Sequence, residues 1–201
     1  MIKAVAAAAV IVTALPLLVI LLATASQDTP VQAADADLSG EPITLARADI
    51  PADYLTWYFS AAQTCPGLPW PVLAGIGKVE SDHGRSTLPG VHRGANFAGA
   101  EGPMQFLPGT FGEFAVNADP GQPLSPYDPA DAIFTAARML CADGARGGRT
   151  AGIEQAIFAY NHADWYVREV MSWAQTYAAQ DSSGPAVTRR AQPTPAQETS
   201  S

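Results

Sequence analysis

The chain has 201 residues, 48% of them hydrophobic and only 15% charged, which excludes a polyampholyte or a wholly disordered protein. Eleven Lys and Arg stand against 19 Asp and Glu, for a formal net charge of −8. No stretch is basic enough to neutralise a phosphate backbone, so nucleic acid is not an expected partner, and the sequence carries neither a solenoid period nor a CxxC pair.

Met1-Ile2-Lys3 is a short basic start to an apolar run from Ala4 to Ala25, broken only by Thr13, Pro16 and Thr24. Roughly 22 such residues suffice to cross a bilayer as a helix, so residues 1–26 read as a signal peptide or a membrane anchor. Ala23-Thr24-Ala25 and Val31-Gln32-Ala33 offer small-x-small cleavage sites. Either way the remainder is expected to be exported, as a secreted protein or one held at the outer face of the cytoplasmic membrane. There two thiols in one domain usually pair, and a Cys65–Cys141 disulfide is expected. Closing about 75 residues, it contributes on the order of 4 kcal/mol.

Residues 27–48 are polar, with Pro, Gly and Asp, and read as a linker; residues 181–201 read as a disordered tail. Residues 49–180 remain as one domain, with helical apolar spacing nearly throughout. Tyr54, Tyr58, Ala61 and Cys65 form one stripe, and Val72, Ile76 and Val79 a second. Asp128-Pro129 reads as the N-cap and first residue of a helix with Ile133, Ala137 and Leu140 inward. Ile153–Tyr160 is another helix. Asp164 is expected to cap the last one, with Val167, Val170, Met171, Ala174 and Tyr177 on one face. No period-2 strand pair is present, so the fold class is all-α.

Glu80 is the residue that points to chemistry. On a helix over 71–81, at about 100° per residue, Leu73 and Ile76 share the apolar face and Glu80 projects between them, while Lys78 points to water. A desolvated carboxyl group has a raised pKa and can stay protonated near neutral pH as a proton donor.

Four segments resemble the bacterial lytic transglycosylases, especially the membrane-bound type B group. They are Gly75-Ile76-Gly77-Lys78-Val79-Glu80-Ser81-Asp82-His83-Gly84-Arg85, the stretch from Phe97-Ala98-Gly99-Ala100-Glu101 through Gly102-Pro103-Met104-Gln105-Phe106-Leu107-Pro108, Tyr127-Asp128-Pro129-Ala130-Asp131-Ala132-Ile133, and Ala159-Tyr160-Asn161-His162-Ala163-Asp164-Trp165-Tyr166-Val167. They occur in the family's order over roughly residues 69–178. The resemblance implies a lysozyme-like helical domain that cuts peptidoglycan glycan strands between N-acetylmuramic acid and N-acetylglucosamine. It implies Glu80 as the single acid and then base, leaving 1,6-anhydro ends without water, as one of the substrate-assisted exceptions to the two-carboxylate scheme. It further implies substrate contacts from Met104 as an apolar wall, Gln105 as an amide donor and acceptor, and Tyr160 and Asn161 beside the acid. Ser81, which follows the acid, is counted with these substrate-binding residues, and its hydroxyl is expected to brace the helix end. No cofactor or metal is expected, and a monomer is.

Local alternatives stand beside these roles. Met104 also suits core packing, Gln105 a loop cap, Tyr160 a buried aromatic and Asn161 a helix C-cap. Trp165 and Tyr166 either pack the core or stack on sugars. Asp143, Arg146 and Arg149 sit among glycines and read as a solvated turn. Glu101 replaces the small or apolar residue more usual in relatives, and either supplies a second carboxylate or faces solvent. Asn117, Asp119 and Gly121 lack the acidic spacing of a calcium loop. Two other functions remain open, a lysozyme-type hydrolase in which Glu80 works with Glu101 or Asp82, and a non-catalytic glycan-binding accessory of a wall-spanning machine.

Overall fold

The computed structural model describes residues 44–179, so the apolar run at 4–25 and the tail from residue 181 lie outside the described residues. Seven α-helices follow in order: α1 (Thr44–Asp49), α2 (Ala52–Ala62), α3 (Trp70–Ser81), α4 (Pro108–Phe114), α5 (Pro129–Leu140), α6 (Thr150–Tyr160) and α7 (Asp164–Ala178). Extended pairing among the described residues is an isolated antiparallel bridge between Glu101 and Phe106. No described helix is long and apolar enough to cross a membrane.

The helix that carries Glu80 is set into the middle of the core. Pro71 lies in its first turn, where a missing N–H costs nothing, and every residue from Trp70 to Gly77 is buried. Its glycines allow two close approaches. A Cβ on Gly75 would stand 2.6 Å from the carbonyl oxygen of Val170 on α7, and one on Gly77 would stand 1.9 Å from the Tyr58 hydroxyl on α2. α3 is thereby held between α2 and α7, with Val72, Leu73 and Ile76 fully buried.

α5 begins as its sequence dictates. Asp128 caps it by accepting from the Asp131 N–H at 3.0 Å, Pro129 opens it, and Ile133, Ala137 and Leu140 are fully buried. Beyond Leu140 the chain continues in a wide π-type turn, Cys141–Ala145, broken at Gly144 with φ 126°. Cys65 and Cys141 are joined in a disulfide with their Cα atoms 5.7 Å apart.

The structure departs from the sequence reading at several points. Thr44–Asp49 is helical, all but Asp49 inside the stretch read as linker, with Ala46 fully buried. Lys78 does not reach into water, because α1 supplies it with a carboxylate: its Nζ lies 2.9 Å from Asp49 and 2.8 Å from Asp82, and 4.8 Å from the ring centre of Trp173. Asp164 is the first residue of α7 rather than its cap, a position taken by Ala163 without any side-chain bond. α4 is too short, at seven residues, to show a helical period.

Candidate active site

Glu80 lies one residue before the end of α3, partly buried. Beyond it the chain turns through Asp82 and His83, both left-handed at φ 53° and 54°. The Asp82 and His83 N–H groups return to the Lys78 and Gly77 carbonyls at 3.0 and 2.9 Å, which satisfies the last turn of the helix. Asp and His tolerate this region better than most residues. The remaining non-glycine residue with positive φ among those described is Gln105, at 50°. Left-handed non-glycine backbone among the described residues therefore lies in the turn after Glu80 and in the Glu101–Phe106 turn that Ser81 contacts.

The Ser81 hydroxyl donates to the Pro103 carbonyl at 2.5 Å and accepts from the Gly84 N–H at 2.8 Å. It ties the helix end to the tight turn between Glu101 and Phe106, whose ends pair in both directions at 2.9 Å. Ser81 is buried, so its hydroxyl is used inside the protein rather than offered to a ligand. Met104 is likewise fully buried: its side chain packs in the core, and its carbonyl accepts from the Tyr160 hydroxyl at 2.8 Å.

Gln105 is partly buried and already engaged in its own loop. Its amide oxygen accepts from Asn96 at 3.0 Å, and its amide nitrogen donates to the Gly102 carbonyl at 2.7 Å. One N–H and one lone pair of the amide remain for a ligand. Asn161 ends α6 with extended backbone, φ −143°, so it is not a left-handed C-cap, and it too is partly buried. Glu101 faces the Tyr127 phenol, whose pKa burial and the Glu101 charge both raise.

The partner of Glu80 comes from the far end of the domain. The Tyr166 hydroxyl, in the first turn of α7, donates to Glu80 Oε1 at 2.5 Å, and Tyr166 is 1% exposed. Its ring lies parallel to that of Tyr160, with centres 6.4 Å apart. Burial raises the Glu80 pKa from an ordinary 4.5 to about 7, against the smaller opposite pull of the Tyr166 hydrogen bond. The Tyr160 and Tyr166 phenols are pushed well above their usual value, by burial first and by the nearby Glu80 second. The two tyrosines thus remain neutral donors, while the carboxyl group titrates near neutrality. Trp165, 57% exposed, meets the edge of Tyr166 at 5.8 Å and leaves an aromatic face in solvent beside the site.

Sequence reasoning left Tyr166 between core and sugar stacking. Its spacing with Val170, Ala174 and Tyr177, all buried, is the signal that places it on the inner stripe of α7.

Behind Glu80 a second polar cluster secures the same turn. His83, 1% exposed, lies 3.1 Å from the Tyr58 hydroxyl through Nδ1 and 3.0 Å from the Tyr177 hydroxyl through Nε2. Tyr177 donates to Asp49 at 2.5 Å, and Asp49 is also paired with Lys78 and Arg85. Because Tyr177 spends its proton on Asp49, it accepts from Nε2–H, and Tyr58 donates to a bare Nδ1. Burial holds the His83 pKa down, at about 4, despite the nearby Asp49.

The loop at 117–125 closes on the protein itself: Asp131 accepts from the Ala118 and Ser125 N–H groups at 2.7 and 3.0 Å, and Asn117 donates to the Gln122 carbonyl at 3.1 Å. Among the described residues no group of three or more His, Cys, Asp or Glu is arranged to hold a metal ion.

Comparison with known proteins bears on the fold and the family of the chain. No curated protein matches the sequence. Of solved structures, the Escherichia coli lytic transglycosylase Slt35 in complex with bulgecin A is similar at 17% identity and a TM-score of 0.54, over 66% of this chain and 76% of that one. The same enzyme in complex with calcium is similar at 16% identity and a TM-score of 0.51, with the same coverage. These likenesses establish the all-α, lysozyme-like fold. The family model for the transglycosylase SLT domain matches residues 57–182, and the chain belongs to that family.

Proposed function

We propose that the chain is a peptidoglycan lytic transglycosylase, of the membrane-bound type B kind that its four segments resemble, with Glu80 as its one acid and base. The observation that carries the reading is a partly buried carboxyl group with a pKa of about 7, held on one oxygen by the Tyr166 phenol. A group that titrates near neutrality can give a proton and take one back at the same pH.

In the first half of the reaction Glu80 gives its proton from Oε2 to the oxygen between N-acetylmuramic acid and N-acetylglucosamine. The C1–O bond breaks, and the substrate's own acetamido carbonyl stabilises the sugar cation. In the second half the Glu80 carboxylate takes the proton of the muramyl 6-hydroxyl, whose oxygen closes on C1. Atoms balance without water, and Glu80 ends protonated. Tyr166 keeps Oε1 occupied, so that Oε2 is the oxygen that faces substrate. Gln105 and Asn161 supply polar contacts to the sugar, and Trp165 a stacking face. Such a substrate lies outside the cytoplasm, which fits the Cys65–Cys141 disulfide.

Clearance of purified cell-wall sacculi by the wild-type protein and by Glu80→Gln tests this assignment. We expect the variant to lose clearance while keeping its helical circular dichroism. Clearance retained by the variant would remove Glu80 from the mechanism and favour a second carboxylate.

A further inference from the structure

Eight Lys and Arg lie between residues 44 and 179, and three of them line one open cavity of about 770 Å³. They are Arg138, from the last turn of α5, and Arg146 and Arg149, from the turn that leads into α6. Val116, Phe134 and the Cys141 end of the disulfide supply its apolar wall. Among the described residues none of the three guanidinium groups takes part in an ion pair, in contrast to Lys78 and Arg85, whose charges Asp49 and Asp82 take up. Arg138 donates to the Ala115 carbonyl at 3.2 Å, which leaves most of its fork open.

The wall of this cavity is fixed in place. The disulfide ties Cys141 to Cys65, the Gly147 N–H donates to the Pro66 carbonyl at 2.8 Å, and a Cβ on Gly67 would stand 2.4 Å from the Gly148 nitrogen. The turn itself is solvated, with Arg146 and Arg149 exposed, while its backbone is held at these points. Three guanidinium groups line one apolar-walled space, and an oxyanion there can accept forked, charge-assisted bonds from them.

We propose that this cavity is a second binding site, distinct from Glu80, that holds an anionic segment of a cell-wall polymer through its carboxylate or phosphodiester oxygens. The anion chemistry stands on the cavity itself; the choice of a wall polymer rests on the peptidoglycan reading. α6 begins just after Arg149 and ends at Tyr160, so the two sites lie one helix length apart, about 16 Å at 1.5 Å per residue. An anchored wall segment would keep the enzyme on its insoluble substrate between cuts.

Titration of the intact protein with poly(glycerol phosphate) and with poly-γ-glutamate, at low and high salt, tests the proposal. We expect saturable, salt-sensitive binding of at least one polymer. Arg146→Gln/Arg149→Gln should weaken it by about tenfold or more, the loss of charge-assisted bonds at two exposed positions; Glu80→Gln should leave it unchanged. Binding of the phosphate polymer alone would identify wall phosphodiesters, and of the carboxylate polymer alone the stem-peptide carboxylates. Absence of saturable binding, binding indifferent to the arginines, or binding lost in Glu80→Gln would overturn the site. Because binding is read without turnover, a failure of the transglycosylase reading would leave this result standing.

Discussion

The Tyr166 hydroxyl meets Glu80 Oε1 at 2.5 Å across 86 residues of sequence, joining the start of the last helix to the end of the third. That bond works against burial, which alone would carry the carboxyl group still higher. Tyr166→Phe removes a hydrogen bond to a charged group, worth about 1.5–3 kcal/mol, or about one to two pKa units. The alkaline limb of the kcat/KM profile should therefore move up by about that much. An unchanged limb would show that Tyr166 does not tune the acid.

Glu80 and His83 give the folded protein opposite responses to pH. Glu80 holds its proton up to about 7 when folded but only to about 4.5 when unfolded, so its contribution to stability is full below 4.5 and lost as pH rises through 7. His83 has a folded pKa of about 4 against an ordinary 6.5, so its contribution is full above 6.5 and lost as pH falls through 4. Each spans on the order of 3 kcal/mol, and between about pH 4.5 and 6.5 the slopes offset. Glu80→Gln should expose the His83 slope alone. Denaturant melts of the variant should show stability rising over this window, where the wild type is nearly flat. Parallel profiles would contradict the assigned shifts.

The disulfide should matter to stability more than to chemistry. Cys65 and Cys141 are 76 residues apart, and loop closure of that length stabilises by about 4 kcal/mol. Replacing both by Ser should lower the denaturation midpoint accordingly. It should leave the pH dependence of turnover in place, since neither sulfur touches the Glu80 turn. A shifted profile would tie the cross-link to the acid after all.

Gly77 tests the packing behind the acid. A Cβ there would stand 1.9 Å from the Tyr58 hydroxyl and 3.4 Å from His83 Nδ1. Gly77→Ala should destabilise by about 1–3 kcal/mol, the usual cost of overpacking, and reduce turnover by displacing the His83 turn. Gly112→Ala, which meets nothing within 4 Å, serves as the control and should do neither.

Where local rules act, the sequence was readable. Asp128-Pro129 announces α5, and the spacing of Leu73, Ile76 and Glu80 puts a carboxyl group on an apolar face. What escaped depends on partners far along the chain. Thr44–Asp49 is too short to show a period, and it is held by Asp49 reaching Lys78, Arg85 and Tyr177. The same distant carboxylate is why Lys78 faces Asp49 rather than water. Met104 and Ser81 are both buried, Ser81 tied to the Pro103 carbonyl and Met104 to the Tyr160 hydroxyl, contacts that no local spacing announces. Arg138, Arg146 and Arg149 are unremarkable in sequence, because only the cross-linked turn brings them around one cavity.

Anhydro-forming cleavage by Glu80, as proposed, is recorded in the chemistry of the new glycan ends. Purified peptidoglycan should be digested with wild type and with Glu80→Gln, and the products read by mass spectrometry. The wild type should form muramyl ends lighter by one water than hydrolytic ends, and the variant none. Reducing muramyl ends would contradict anhydro-forming cleavage, assign the enzyme to hydrolysis, and make Glu101 the residue to replace next.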